Sequence, residues 1–184
     1  LMISKSFVVN NASEGGISNF GNLSIKHSNI NSNTGFGVYT QTGGTTNIER
    51  STINENSSYG IYTYSGEVNI VKSTVNTNGD DGIYNYYGTK SSITDTEIAQ
   101  NDGFGIDNAY CSVISVKGSS IHGNSEGGVY NEGTWSQFSN TSQRLYDVQL
   151  EVTSVSEHCM LNNSHSYFKF TENGIKDIYS EDPL

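Results

Sequence analysis

The sequence predicts an all-β fold, a single-stranded right-handed parallel β-helix (a β-solenoid) of 22–23 residues per coil and roughly seven coils, the last two degenerate. Three columns of residues predict it. A glycine followed by a β-branched residue recurs at Gly37-Val38, Gly60-Ile61, Gly82-Ile83, Gly105-Ile106 and Gly128-Val129, in steps of 23, 22, 23 and 23. Ile30, Ile53, Val75, Ile98 and Ile121 keep the same steps, and each is followed three residues later by an asparagine: Asn33, Asn56, Asn78, Asn101 and Asn124. Ile25, Ile48, Ile70, Ile93 and Val116 form the third column.

Each coil therefore carries three short segments in which apolar and polar residues alternate, the pattern of half-buried strands. Strands this short cannot stand alone. Stacked about 4.8 Å apart, they form parallel sheets in which every backbone group pairs with the coil above or below. The asparagine column marks a turn where identical inward amides hydrogen-bond along a ladder. The glycine column marks either a backbone conformation or a close approach that a Cβ forbids.

The ends are less regular. Val9 and Gly16-Ile17 precede Ile30 and Gly37-Val38 by 21 residues, which predicts an incomplete first coil. Beyond Trp135 the pattern blurs, although Gly174-Ile175 falls 46 residues after Gly128-Val129. Residues 134–179 read as two degenerate coils, with an antiparallel cap built on 145–155 as the alternative. The chain thus divides into a regular helix at 1–133 and a degenerate, capping or docking segment at 134–184. Open solenoid ends expose unpaired strand edges, so the expected partners there are copies of the chain or a neighbouring structural protein.

The apolar-x-x-Asn turn followed by Gly-Ile-Tyr, as in Ile53 to Asn56 and then Gly60-Ile61-Tyr62, resembles the parallel β-helix repeat family of the pectate-lyase-like superfamily over 22–132. The resemblance implies the fold and leaves the activity open, because that superfamily includes polysaccharide lyases, hydrolases, epimerases, viral tailspikes, adhesins and structural domains. Asp80-Asp81 and His122-Gly123 are similar to pieces of a polygalacturonase-like signature, but the preceding Asn-Thr-Asp element is missing and Ile121 stands where a glycine belongs. Lyases of this fold use Ca²⁺ held by several carboxylates beside an Arg or Lys base. No carboxylate trio accompanies Arg50 or Arg144 in this sequence.

Composition agrees with a thin solenoid. Only 33% of residues are hydrophobic, too few for a thick core, and there are 20 glycines and one proline. Nine Lys plus Arg against nineteen Asp plus Glu give a formal charge of −10, which disfavours nucleic acid and anionic lipid as partners. No apolar run is long enough to insert in a membrane, and Leu1 to Asn10 is too short and polar for a complete signal peptide. Cys111 and Cys159 do not make a disulfide framework and read as unpaired small residues. The four histidines, His27, His122, His158 and His165, are not in register with one another or with a cysteine, so neither a metal nor a cofactor is expected. Sequons at Asn11, Asn22, Asn56, Asn140 and Asn162 point to an exterior location, extracellular or on a cell or virion surface.

Strand alternation after the glycine places Tyr39, Tyr62, Tyr84, Asp107 and Tyr130 outward in one column, beside Gln41, Tyr64, Tyr86, Ala109 and Glu132. The tyrosines admit three readings: strand formers stacked on each other, a protein interface, or a platform for sugar rings. Asp107 is the best single acid in this face. A glycosidase needs a second carboxyl within about 10 Å, and Asp80 and Asp81 read as turn residues away from it. Another column, Ser24, Asn47, Asn69, Ser92 and Ser115, lacks the threonine array that ice binding calls for. With no catalytic constellation evident, the sequence reads first as a non-enzymatic extracellular structural or adhesive module that self-associates into a fibre or surface appendage. The alternative is a carbohydrate-binding or polysaccharide-degrading enzyme, lyase-like or hydrolase-like, viral tailspikes included. In either case Tyr39, Tyr62, Tyr64, Tyr84, Tyr86, Asp107 and Tyr130 form the partner-binding face.

Overall fold

A computed structural model describes residues 1–12 and 14–131, and the backbone of three further strands at 134–139, 165–171 and 174–181. Six coils of three strands each stack in the order expected. The first holds β1 (Met2–Ser4), β2 (Phe7–Val9) and β3 (Gly15–Asn19), and the second β4 (Asn22–Lys26), β5 (Asn29–Asn31) and β6 (Phe36–Thr40). The third is β7 (Thr45–Glu49), β8 (Thr52–Asn54) and β9 (Ile61–Tyr64), and the fourth β10 (Glu67–Val71), β11 (Thr74–Asn76) and β12 (Ile83–Tyr86). The fifth is β13 (Lys90–Thr94), β14 (Glu97–Ala99) and β15 (Phe104–Asn108), and the sixth β16 (Val113–Lys117), β17 (Ser120–His122) and β18 (Gly127–Asn131). Corresponding strands pair in parallel into three sheets: A from β1 to β16, B from β2 to β17 and C from β3 to β18. Sheet A gains a seventh strand, β19 (Thr134–Ser139), which pairs β16 across a register shift after Ile114.

The pairing register reproduces all three sequence columns. Ile25, Ile48, Ile70, Ile93 and Val116 are successive partners in sheet A. Ile30, Ile53, Val75, Ile98 and Ile121 align in sheet B, and Val38, Ile61, Ile83, Ile106 and Val129 in sheet C. These side chains are sealed from solvent and form the narrow core. A fourth inward column in sheet A, Leu23, Thr46, Val68, Ser91 and Ile114, is also buried but mixes apolar and hydroxyl residues.

The asparagine ladder runs along the turn between sheets B and C. Asn33 Nδ2 donates to Asn56 Oδ1 at 2.9 Å, Asn56 Nδ2 to Asn78 Oδ1 at 3.0 Å, Asn78 Nδ2 to Asn101 Oδ1 at 2.9 Å and Asn101 Nδ2 to Asn124 Oδ1 at 2.8 Å. Each backbone N–H bonds the same oxygen, and each amide also donates to a core-strand carbonyl, as from Asn101 to Val75 at 3.1 Å. The ladder explains the glycines. A Cβ on Gly82 would lie 2.7 Å from Asn101 Nδ2, 2.7 Å from the Gly105 carbonyl and 2.8 Å from Ile98 Cγ2, and Gly37, Gly60 and Gly105 are confined in the same way. None of the four has a left-handed φ, so close approach rather than conformational freedom selects glycine here.

Several expectations change. The first coil is complete, because β1 pairs β4, β2 pairs β5 and β3 pairs β6. Val8, not Val9, is the partner of Ile30. At the other end β20 (His165–Thr171) and β21 (Gly174–Glu181) pair antiparallel, so Gly174-Ile175 belongs to a hairpin and not to a stacked coil. The 145–155 segment lies outside the described residues. Cys111 is disulfide-bonded rather than unpaired, and Cys159 lies outside the described residues. Asn56 is 1% exposed within the ladder, so its sequon cannot be reached in the folded chain.

Replacing Asn101 with Ala strips the ladder of one amide and leaves the Asn78 side-chain and backbone donors unmatched in a dry turn. The expected loss is about 2–3 kcal/mol in urea unfolding. Asn69→Ala, which removes an exposed bond to Asn47 on sheet A, should cost less than about 0.5 kcal/mol and serves as the control.

Candidate functional site: the aromatic face of sheet C

Two outward columns cover sheet C. The expected one follows the buried apolar residue: Ser18, Tyr39, Tyr62, Tyr84, Asp107 and Tyr130 are consecutive partners. The second, which the sequence reading missed, precedes each anchor glycine and contains Phe36, Tyr59, Asp81 and Phe104; the three rings are partly exposed, whereas Asp81 is buried at 6%. Its signal was a fixed offset of one residue before the glycine. Both the glycine and the residue after it are buried, so outward positions fall on either side of the pair.

The rings interlock. Tyr39 stacks on Tyr62 with centroids 4.7 Å apart and planes 7° from parallel, the spacing of adjacent coils. Tyr62 stacks on Tyr84 at 5.3 Å, and Tyr59 on Tyr84 at 5.0 Å. Tyr64 and Tyr86 stack at 5.7 Å, joined to the main stack where Tyr86 tilts against Tyr84, and Tyr87 and Tyr110 extend this edge. Tyr130 stands apart, stacked on Phe104 at 5.2 Å. Ala109, expected beside the tyrosines, is buried at 4% exposure and adds nothing to the face.

The break between Tyr84 and Tyr130 has a definite composition. Along the diagonal, the residue before one glycine stacks on the outward residue of the next coil, Tyr59 on Tyr84 and Phe104 on Tyr130, and Asp81 and Asp107 hold the corresponding positions between them. Two aromatic pairs therefore flank a carboxylate pair. Tyr84 and Tyr130 are two coils apart, about 10 Å, with Asp107 between them in the column and Phe104 stacked against Tyr130. Asp81 had been read as a turn residue remote from Asp107. The two instead act on each other electrostatically, because the turn before Gly82 delivers position 81 to sheet C and not away from it.

Asp81 is held in place. Its Oδ1 accepts the Phe104 N–H at 2.7 Å, and its own N–H donates to Asp80 Oδ1 at 3.0 Å. A Cβ on Gly103 would overlap Asp81 Oδ1, so that glycine makes room for the carboxyl. Burial pushes the Asp81 carboxyl up to about 7, opposed by the Phe104 N–H and aided by Asp107, Asp80 and Glu126. Tyr59 is pushed up to about 12, first by burial and then by Asp80 and Asp81. Tyr84 is raised by burial and then by Asp107. The arrangement can hold a proton on a carboxyl at neutral pH between aromatic rings. Among the described residues no His, Cys, Asp and Glu group is arranged to hold a metal ion.

A stacked, right-handed, three-sheet coil defines a class, and the chain belongs to it: the right-handed β-helix family, whose model matches residues 3–143. Two solved structures share the fold. The periplasmic alginate epimerase AlgG superposes with a TM-score of 0.69 at 13% identity, covering 76% of this chain and 38% of that one. The A-module of the mannuronan C-5 epimerase AlgE4 from Azotobacter vinelandii gives 0.50 at 14% identity, covering 84% and 58%. The chain thus spans well under two thirds of either neighbour. No curated protein matches it.

An acid whose pKa is raised by folding keeps its proton in the native chain where the unfolded chain has lost it. For Asp81 that window runs from the ordinary 3.8 to about 7. Stability should therefore fall as pH rises through the window and level off above it. Asp81→Asn keeps an acceptor for Phe104 and abolishes the charge. Unfolding at pH 4.5 and 7.5 should show the native protein losing about 1–3 kcal/mol more than the variant over this range.

Proposed function

We propose that the protein is a carbohydrate-active β-helix whose sheet C face receives a polysaccharide chain. The observation that carries this reading is the carboxylate pair Asp81 and Asp107 set between the aromatic pairs Tyr59–Tyr84 and Phe104–Tyr130. Sugar rings present apolar C–H faces and hydroxyl rims, and carboxylates flanked by aromatic rings suit both. Because the tyrosines of the ladder stack on each other, their faces are largely used within the protein, and the ladder stops at Asp107. Asp81, protonated near neutrality, and Asp107 are the pairing that general acid–base chemistry on a glycosidic bond or a ring proton requires.

The two solved neighbours are named as epimerases of alginate and mannuronan, which supports this reading over a non-enzymatic structural module. The disulfide at Cys111 supports a location in an oxidising compartment outside the cytoplasm. Within the described residues no helix is long and apolar enough to cross a membrane.

Screening against neutral and acidic polysaccharides, by affinity electrophoresis and by NMR of the products, tests the proposal. Tyr84→Ala should weaken binding about tenfold by removing one of the flanking rings, while Asn69→Ala on sheet A leaves binding unchanged. Asp107→Asn should abolish product formation and retain binding. A correctly folded protein that binds no polysaccharide in the panel would overturn the reading.

A further inference from the structure

The charge around Asp81 and Asp107 is one-sided. Asp80, Asp81, Asp102, Asp107 and Glu126 lie in the strands of sheet C and the turns entering them in the fourth to sixth coils. No Lys, Arg or His occurs in any of the six strands of sheet C or in the turns that lead into them. The cations of the described residues sit elsewhere. Lys26 and Arg50 are engaged by Glu49 at 3.0 and 2.6 Å, Lys90 and Lys117 belong to sheet A, and His122 lies 3.3 Å from Glu97 on sheet B.

A uronate ring docked on this stretch of sheet C would bring its carboxylate to Asp107 and near Asp80, Asp102 and Glu126, with no cation among the described residues of that face to offset them. A neutral ring meets no such cost, and its hydroxyls find carboxylate acceptors. We propose that the sheet C face is selective for uncharged glycans and excludes uronate polymers, an inference that rests on the carbohydrate role proposed above. In this the chain departs from mannuronan, the uronate polymer for which one of its structural neighbours is named. The Asp81 carboxyl is raised first by burial, and Asp107, Asp80 and Glu126 add to the rise.

The test is calorimetric titration at low salt of the full chain with neutral mannan, galactan, xylan and β-glucan oligosaccharides, and with alginate and polygalacturonate oligosaccharides of matched length. The best neutral ligand should bind at least about tenfold more tightly than either uronate. Added salt should narrow the gap by strengthening uronate binding and leave the neutral affinity unchanged. Asp80→Asn combined with Glu126→Gln, which spares Asp81 and Asp107, should raise uronate affinity about threefold with no change for the neutral ligand. Uronate binding equal to or tighter than the best neutral ligand overturns this inference and leaves the carbohydrate role standing. Binding of neither class by a protein whose circular dichroism shows intact β-structure overturns both.

Discussion

The stacking distance between coils, held by the asparagine ladder, is the constraint on which the rest of this molecule depends. Each ladder amide satisfies the preceding coil's backbone N–H, its side-chain neighbour and a core-strand carbonyl, so the turn between sheets B and C cannot widen without leaving buried donors unmatched. The anchor glycines follow from that distance, since a Cβ at Gly60 or Gly82 would occupy the space of the ladder amide and the next glycine's carbonyl. A second ladder stabilises the turn between sheets A and B, where the Ser28, Ser51 and Thr96 N–H groups donate to the hydroxyls of Ser51, Ser73 and Ser119.

The same spacing makes the outer face chemical. Identical side chains repeated every coil fall into van der Waals contact, so tyrosines at one outward position stack as Tyr39 does on Tyr62. A ladder of this kind is self-satisfied and offers a ligand mainly edges and hydroxyls. On sheet C the ladder is broken twice, at Asp81 in one column and Asp107 in the next. Burial at that point shifts the protonation of Asp81 toward neutrality, a property that neither aspartate would have in an exposed turn.

Much of the fold was legible because the physics of stacking writes itself as period. Ile25, Ile30 and Val38 and their repeats could be assigned to three inward columns from spacing alone. The left-handed turn residues could not. Lys5, His27, Arg50, Lys72 and Asp95 occupy one such column, four of the five basic, and Asn10, Ser32, Glu55, Thr77 and Gln100 another, and neither is dominated by the glycine or asparagine that favours this backbone. Those backbones are dictated by the coils above and below, not by the side chain. The hairpin of β20 and β21 was hidden for a related reason, since a 46-residue coincidence of Gly-Ile is indistinguishable from two repeats until the direction of pairing is known.

By itself the sequence determined the coil length, the three sheets and the core columns, all of which are properties of residue type at fixed period. Tertiary structure alone decided that Asp81 joins Asp107 on one face, because their proximity is diagonal, between a position before one glycine and a position after the next. A period read along the chain aligns like with like and does not see that diagonal. It also decided the state of Cys111 and the completeness of the first coil, which depend on what each segment meets in space.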